Sequence, residues 1–286
     1  MKTPKDLQAL IDDGIIDEVL RPLKSGKEAA VYVVRAGTDV RCAKVYKDMK
    51  QRSFQQRVAY QEGRKTRGSR EARAMGKSTK FGRKEAETAW KNTEVDALYQ
   101  FAAAGVRVPK PYGYFGGVLV MELVTDAEGR SAPRLGEVEL TVDIARDYHR
   151  ILIGQIVRML CCGLIHGDLS EYNVLIAADG PVIIDLPQAV SAAGNNNAAA
   201  MLERDVNNIT QSLGRFAPEL LLTQFAAEMW ALFQKGELKP DTELTGHFQR
   251  NEAPADVASV IEAIDEARDE AIRRQRGREE AAAAEN

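Results

Sequence analysis

Cysteine is scarce in this chain: Cys42, Cys161 and Cys162 are the three in 286 residues, and two of them are adjacent. An odd count with an adjacent pair suits neither a disulfide framework nor a zinc knuckle, so reduced, mostly buried thiols are expected. Long apolar runs are missing too. Nothing approaches the roughly eighteen residues of a membrane span, and Met1 to Pro4 lacks the apolar stretch of a signal peptide, so a cytoplasmic protein with no membrane partner is expected. Histidine is as sparse, with three residues. His149 falls in a helical pattern as a packed or surface histidine, and His166 is expected to hold a loop by hydrogen bonds. The net charge of −3 says little about partners.

What is present is the composition of a soluble globular protein, 44% hydrophobic and 28% charged. The length suffices for one large domain or for two lobes sharing a cleft. The charge is unevenly spread. Residues 48 to 84 hold twelve Lys/Arg against three acids, net +9, which leaves −12 for the rest. Such a segment is either a solvated, mobile insertion or a contact surface for RNA or another polyanion. Its aromatics are few, Phe54, Tyr60 and Phe81, so base stacking is not strongly signalled.

The chain's centre of gravity is LIHGDLSEYNVLI, Leu164 to Ile176, followed by IIDLPQAV at Ile183 to Val190. Asn173 follows Asp168 by five residues and Asp185 comes twelve later, each between apolar runs that read as short buried strands. Phosphoryl transfer from a nucleotide needs a carboxylate beside the attacking hydroxyl and oxygen ligands that hold Mg²⁺ against the phosphates. Asp168 suits the first task, Asn173 and Asp185 the second. A hairpin through Ala177 to Gly180 would bring Asp185 alongside.

The preceding segments can be arranged around that centre. Lys5 to Leu20 reads as a short amphipathic helix broken near Gly14, which docks on the main fold. Arg21 to Tyr46 reads as three strands, and the turn Lys24-Ser25-Gly26-Lys27-Glu28 is either a plain hairpin or a cradle that offers backbone N–H groups and a lysine to a phosphate. Lys44, in CAKVYK, is either an edge-strand charge or the lysine that holds α- and β-phosphates; strand alternation puts Cys42 on its face. Glu85 to Ala104 is a helix carrying Glu94, the candidate partner of Lys44, with Glu87 as its rival. Val106 to Tyr114 is a stiff, proline-containing link. Gly117 to Val124 is a buried strand that runs into an irregular segment, as a hinge between lobes requires, and would set Met121, Glu122 and Val124 against an adenine. Three helices are expected later, over Leu140 to Cys162, Met201 to Phe216 and Glu219 to Gln234.

With these motifs in hand the chain resembles the RIO-type atypical protein kinases. The residues that carry the likeness are SGKEAAVY (25 to 32), AKVYK (43 to 47), Trp90 to Glu94, VPKPYG (108 to 113), VLVME (118 to 122), APRL (132 to 135), HGDLSEYNVL (166 to 175), IIDLPQAV (183 to 190) and RDVNNI (204 to 209). The resemblance implies an α+β, two-lobe protein-kinase-like fold with a small β-rich N-lobe and a helical C-lobe, reduced and without an activation segment. It implies an N-terminal helix over 1–20, an N-lobe over 21–124, a C-lobe over 125–235 and an extension over 236–286. It implies ATP with Mg²⁺, or Mn²⁺ in its place, with Asp168 as proton acceptor and Asn173 and Asp185 as metal ligands. Lys44 and Glu94 would position the phosphates beneath Ser25, Gly26, Lys27, Glu28, Ala29 and Val31.

Some members form an aspartyl-phosphate on the metal-binding aspartate, here Asp185. The implied acceptor is a protein or the chain itself, with RNA or a ribosomal particle as a partner through 48–84. With the short N-terminal stretch before residue 21, the winged helix of one subgroup is not expected. Two other readings stay open, a small-molecule phosphotransferase and a nucleotide-binding scaffold.

Overall fold

The computed structural model describes residues 4–26, 29–46 and 93–248, all within one unit, Met1–Phe248. Helix α1 is Lys5–Asp12. It is followed by β1 (Glu18–Ser25), β2 (Ala29–Ala36) and β3 (Asp39–Tyr46). Helix α2 is described over 93–103. Strands β4 (Pro111–Phe115) and β5 (Val118–Glu122) complete a five-stranded antiparallel sheet of order β1-β2-β3-β5-β4.

Strand register decides what each face of this sheet carries. Ala43 pairs with Val120 and Val45 with Val118, and these side chains meet Leu7, Leu10 and Ile16 beneath α1. The alternate residues face the other way, Lys44 opposite Leu119 and Cys42 opposite Met121, because successive side chains of a strand point to opposite faces. On that second face Leu119 joins Val95, Leu98 and Phe101 of α2 in the main core.

The second half is helical, with short strand pairs at the cleft. Helix α3 (Val142–Cys161) opens at Thr141, whose Oγ1 accepts from the Ile144 N–H at 3.3 Å, an N-cap that relieves one orphan donor of the first turn. It buries Leu152, Ile156 and Leu160 against Leu202, Val206, Ile209 and Leu213 of α4 (Ala198–Gly214) and Met229 of α5 (Phe225–Lys235). Strands β6 (Leu164–Ile165) and β9 (Val190–Ser191) pair with each other, as do β7 (Val174–Ala177) and β8 (Gly180–Ile183). Among the described residues no helix is long and apolar enough to cross a membrane.

Three expectations are corrected. The first helix stops at Asp12, and Leu20 lies in β1, at a register shift between Val19 and Arg21, which pair with Val34 and Val33 of β2. The stiff link around Pro111 is itself an edge strand, where proline is tolerated because the outer N–H has no ladder partner to lose. The helix expected over 219–234 is two pieces, a 3₁₀ turn Pro218–Leu222 and α5, and Leu222 is left 79% exposed. Lys27, Glu28, the basic segment 48–84, Glu87, Trp90 and residues beyond 248 lie outside the described residues.

His149 is 2% exposed, with Nε2 3.0 Å from Thr210 Oγ1, and burial pulls its pKa down from 6.5 to about 4. The unfolded chain therefore binds a proton that the fold refuses between those values, so stability falls as pH drops from about 6.5 towards 4. The full span is worth about 3 kcal/mol at 1.36 kcal/mol per pKa unit. His149→Gln is expected to flatten the pH dependence of the urea midpoint over that window, relative to the parent. A curve parallel to the parent's would rule this out.

Candidate active site

A cleft of about 600 Å³ runs between the sheet and the β7–β8 hairpin. Leu23, Ala29, Val31, Leu119, Met121 and Val124 give it an apolar side, while Lys24, Lys44, Glu94, Arg134, Glu137 and Asp185 give it charge. Gly26 and Cys42 also line it. Burial pushes the Cys42 thiol up to about 12, so it is a packing group there and not a nucleophile.

Three charged residues meet at its inner end. Lys44 Nζ lies 2.5 Å from Glu94 Oε1 on α2 and 3.3 Å from Asp185 Oδ1. Burial acts to lower the Lys44 pKa, but the Glu94 and Asp185 carboxylates outweigh it and hold the ammonium charged. The Lys44 and Glu94 side chains are 12% and 5% exposed, whereas that of Asp185 is 48% exposed and opens onto the cleft. Asp185 also has φ +68, the one non-glycine in the left-handed region among the described residues. Such a conformation costs about 1–3 kcal/mol and is kept where the surroundings impose it. Here Ile184 N–H donates to the Asn173 carbonyl at 2.9 Å on one side, and buried Leu186 anchors the other.

Asp168 and Asn173 do not line the cleft wall; they sit on the loop beside Asp185. Asn173 Nδ2 donates to the Asp168 carbonyl at 2.8 Å, and Gln188 Nε2 donates to Asp168 Oδ2 at 3.3 Å. Burial raises the Asp168 pKa, His166 and Arg204 pull it down, and Asp185 pushes it further up. The His166 ring holds the loop as expected: Nε2 is 3.1 Å from the Ile184 carbonyl, and Nδ1 accepts from the Asp168 N–H at 3.3 Å. Ser25 ends β1 next to the cleft.

The hinge differs in detail from the expectation. The Glu122 N–H already donates to the Lys110 carbonyl at 2.9 Å, and the Val124 carbonyl accepts from Ala132 N–H at 3.0 Å. Among the described residues the Val124 N–H makes no hydrogen bond. The Glu122 carboxylate turns to Arg107, with both oxygens at 2.8 Å from the guanidinium, and Arg107 reaches on to Asp179 at 3.0 Å. Burial acts to raise the Glu122 pKa; the Arg107 and Lys110 donors outweigh it. This chain of charges ties β5 to the β7–β8 turn, and neither spacing nor periodicity signals Arg107 or Asp179.

Asp205 is the other group without an assigned role in the sequence reading, although it lies in RDVNNI. It is 1% exposed on α4 and accepts from Gly167 N–H at 2.7 Å and Leu169 N–H at 2.9 Å, while Asn208 Nδ2 donates to the Leu169 carbonyl at 2.9 Å. Arg204 donates to the Gly167 carbonyl. Gly167 has φ +82, and a Cβ there would stand 2.6 Å from the Gln188 carbonyl oxygen. Glycine is thus required on steric grounds. Asp205→Ala strands two buried N–H groups, so a loss of about 2–4 kcal/mol in stability and a fall in kcat are expected, with Asp205→Asn intermediate. A urea titration together with kcat for both variants checks this; unchanged values for Asp205→Ala would refute it.

The comparisons with known proteins agree with this geometry. The model of the RIO domain family matches residues 30–225. The RIO-type serine/threonine-protein kinase Rio1 of Haloferax volcanii is 35% identical over 212 residues, covering 72% of this chain and 67% of that protein. Serine/threonine-protein kinase rio1 of Schizosaccharomyces pombe is 30% identical over 212 residues, 73% of this chain and 41% of its own length. The human serine/threonine-protein kinase RIO1 is 30% identical over 210 residues, 73% and 35%. The chain thus spans about two-fifths or less of these two eukaryotic relatives. An antiparallel N-terminal sheet, a helical second half, and a lysine–glutamate–aspartate junction in the cleft between them make this a protein-kinase-like fold, and the chain belongs to the RIO family of serine/threonine kinases.

Proposed function

We propose that the chain is an ATP- and Mg²⁺-dependent phosphotransferase that moves the γ-phosphoryl group of ATP to a serine or threonine hydroxyl. The observation that carries this is Lys44 held between Glu94 and Asp185 at the end of an apolar-sided cleft. In this reading the adenine packs between Val31 and Met121 and takes the Val124 N–H, and Lys44 positions the α- and β-phosphates. The Asp168 carboxylate accepts the hydroxyl proton. The acceptor oxygen bonds to the γ-phosphorus as the bond from phosphorus to the β–γ bridging oxygen breaks, and ADP leaves.

Asn173 and Asp185 suit Mg²⁺. Among the described residues no three His, Cys, Asp or Glu side chains form a metal cage, and Mg²⁺ ordinarily binds through one or two protein oxygens completed by phosphate and water. Asn173 spends its amide nitrogen on Asp168 and keeps Oδ1 for the ion, and Asp185 keeps Oδ2. When bound, the ion offsets charge on the phosphate oxygens.

A second reading, supported by the open Asp185 carboxylate, is an ATPase in which Asp185 takes the phosphoryl group and water then releases it. One experiment separates these readings from small-molecule transfer. The purified full chain is incubated with ATP labelled on the γ-phosphate, Mg²⁺ and cell lysate. The expected result is Mg²⁺-dependent label on serine or threonine; label on a small molecule, or no ATP binding or consumption at all, would sink the proposal.

For partners, the net +9 of residues 48–84 supports a polyanion such as RNA, as expected in ribosome maturation. Deleting 48–84 is then expected to abolish salt-sensitive RNA binding and leave ATP binding unchanged; RNA binding with an unaltered salt slope would exclude that role.

A further inference from the structure

Among the described residues, two cations in the cleft make no ion pair with a carboxylate. Lys24 enters from β1, two residues before Gly26, and Arg134 from the segment after β5. The Arg134 backbone is pinned. Its N–H donates to Glu137 Oε2 at 3.0 Å, it bridges to Leu175 of β7, and the neighbouring Pro133 carbonyl accepts from Ile176 N–H at 2.8 Å. Among the described residues, however, neither the Lys24 ammonium nor the Arg134 guanidinium makes a hydrogen bond or ion pair. Lys44 is the contrasting case, since its charge is opposed by both Glu94 and Asp185.

The two cations line one cleft, Lys24 from β1 and Arg134 from the segment after β5, and each lies within the field of the other. Burial, and then the Arg134 charge, lower the Lys24 pKa, while Asp185 and Glu137 act in the opposite sense. Lys24 therefore lies within the field of the aspartate assigned to the metal and terminal phosphates. Two like charges on opposing walls repel unless an anion stands between them. A nucleotide polyphosphate is only partly neutralised by one divalent ion, and Lys44 has little charge left to spare.

We propose that Lys24 and Arg134 form a second grip on the terminal phosphate of the nucleotide, one cation from each wall, so that the phosphate itself draws the walls together. The inference rests on the reading of the cleft as a nucleotide site and adds to it a sensor for the γ-phosphate. Lys44 would serve the inner phosphates of ATP and ADP alike; the outer pair would tell the two apart.

The test measures Mg²⁺-dependent binding of ADP and of a non-hydrolysable ATP analogue by calorimetry, for the full-length parent, Lys24→Gln, Arg134→Gln and the double variant. Unfolding midpoints serve as the control for folding. Each single variant is expected to bind the analogue about tenfold more weakly, as for loss of one charge-assisted hydrogen bond, and ADP less than about threefold more weakly. Parent-like affinity for the analogue in both variants overturns the grip while leaving the cleft reading intact. Equal losses for ADP and the analogue overturn it as well, since the effect is then not on the γ-phosphate. Unchanged nucleotide binding with a raised KM for an acidic acceptor peptide would reassign the pair to the acceptor. A parent that binds neither nucleotide overturns the cleft reading and the grip together.

Discussion

Asp168→Ala is expected to lower turnover by about 10²- to 10⁴-fold, the usual range for loss of a general base, while ATP binds with the affinity of the parent. The second half of that expectation follows from where the side chain stands. Asp168 is not part of the cleft wall, and among the described residues its carboxylate accepts a hydrogen bond from Gln188 only, at 3.3 Å. The loop does not depend on that carboxylate, because its main chain is held elsewhere. Asn173 takes the Asp168 carbonyl, Asp205 takes the N–H groups on either side, and His166 bonds to Ile184. Single-turnover rates with labelled ATP, beside calorimetric ATP affinities, make the check. ATP consumption by the variant equal to the parent's would remove Asp168 from the chemistry.

Lys44→Ala is expected to damage both stability and activity, and a double variant can separate the two. Glu94 is 4% exposed and its Oε1 lies 2.5 Å from Lys44 Nζ, so Lys44 compensates a charge already removed from water. Deleting one partner of a buried ion pair costs about 3–5 kcal/mol, mostly from the charge left behind. Adding Glu94→Gln to Lys44→Ala removes that charge and is expected to recover most of the stability. Turnover is expected to stay lost, because the cation proposed to position the α- and β-phosphates is gone. Urea midpoints and kcat for the two single variants and the double close the cycle. If the double variant is no more stable than Lys44→Ala, the pair is not the buried unit described above.

The same structure explains which features were readable along the chain. The loop from His166 to Asp185 is local: each group lies within about twenty residues of the others, and apolar runs on either side report buried strands. Strand alternation likewise reads correctly over short distances, so Cys42 and Lys44 share a face. Periodicity failed where burial is partial. Glu219 to Gln234 reads as one helix, yet the chain breaks at Thr223 and leaves Leu222 in water. The two prolines near 110 looked like a linker because a single strand gives no sign of being an edge, which depends on its neighbours.

Residue type and close spacing were enough to point to a kinase, and the family comparison agrees, because the residues that carry the likeness lie close together along the chain. The tertiary structure alone decided the partners that come from distant segments. Arg107 with Glu122 and Asp179, Asp205 beneath the loop at Gly167, and Lys24 with Arg134 in the lining of one cleft are separated by up to 110 residues along the chain. Alternation and helical period state which face a side chain occupies, and they are silent on what stands opposite. That is settled only when the sheet, the hairpin and the helices pack, because burial then forces each polar group to find a partner or to wait for a ligand.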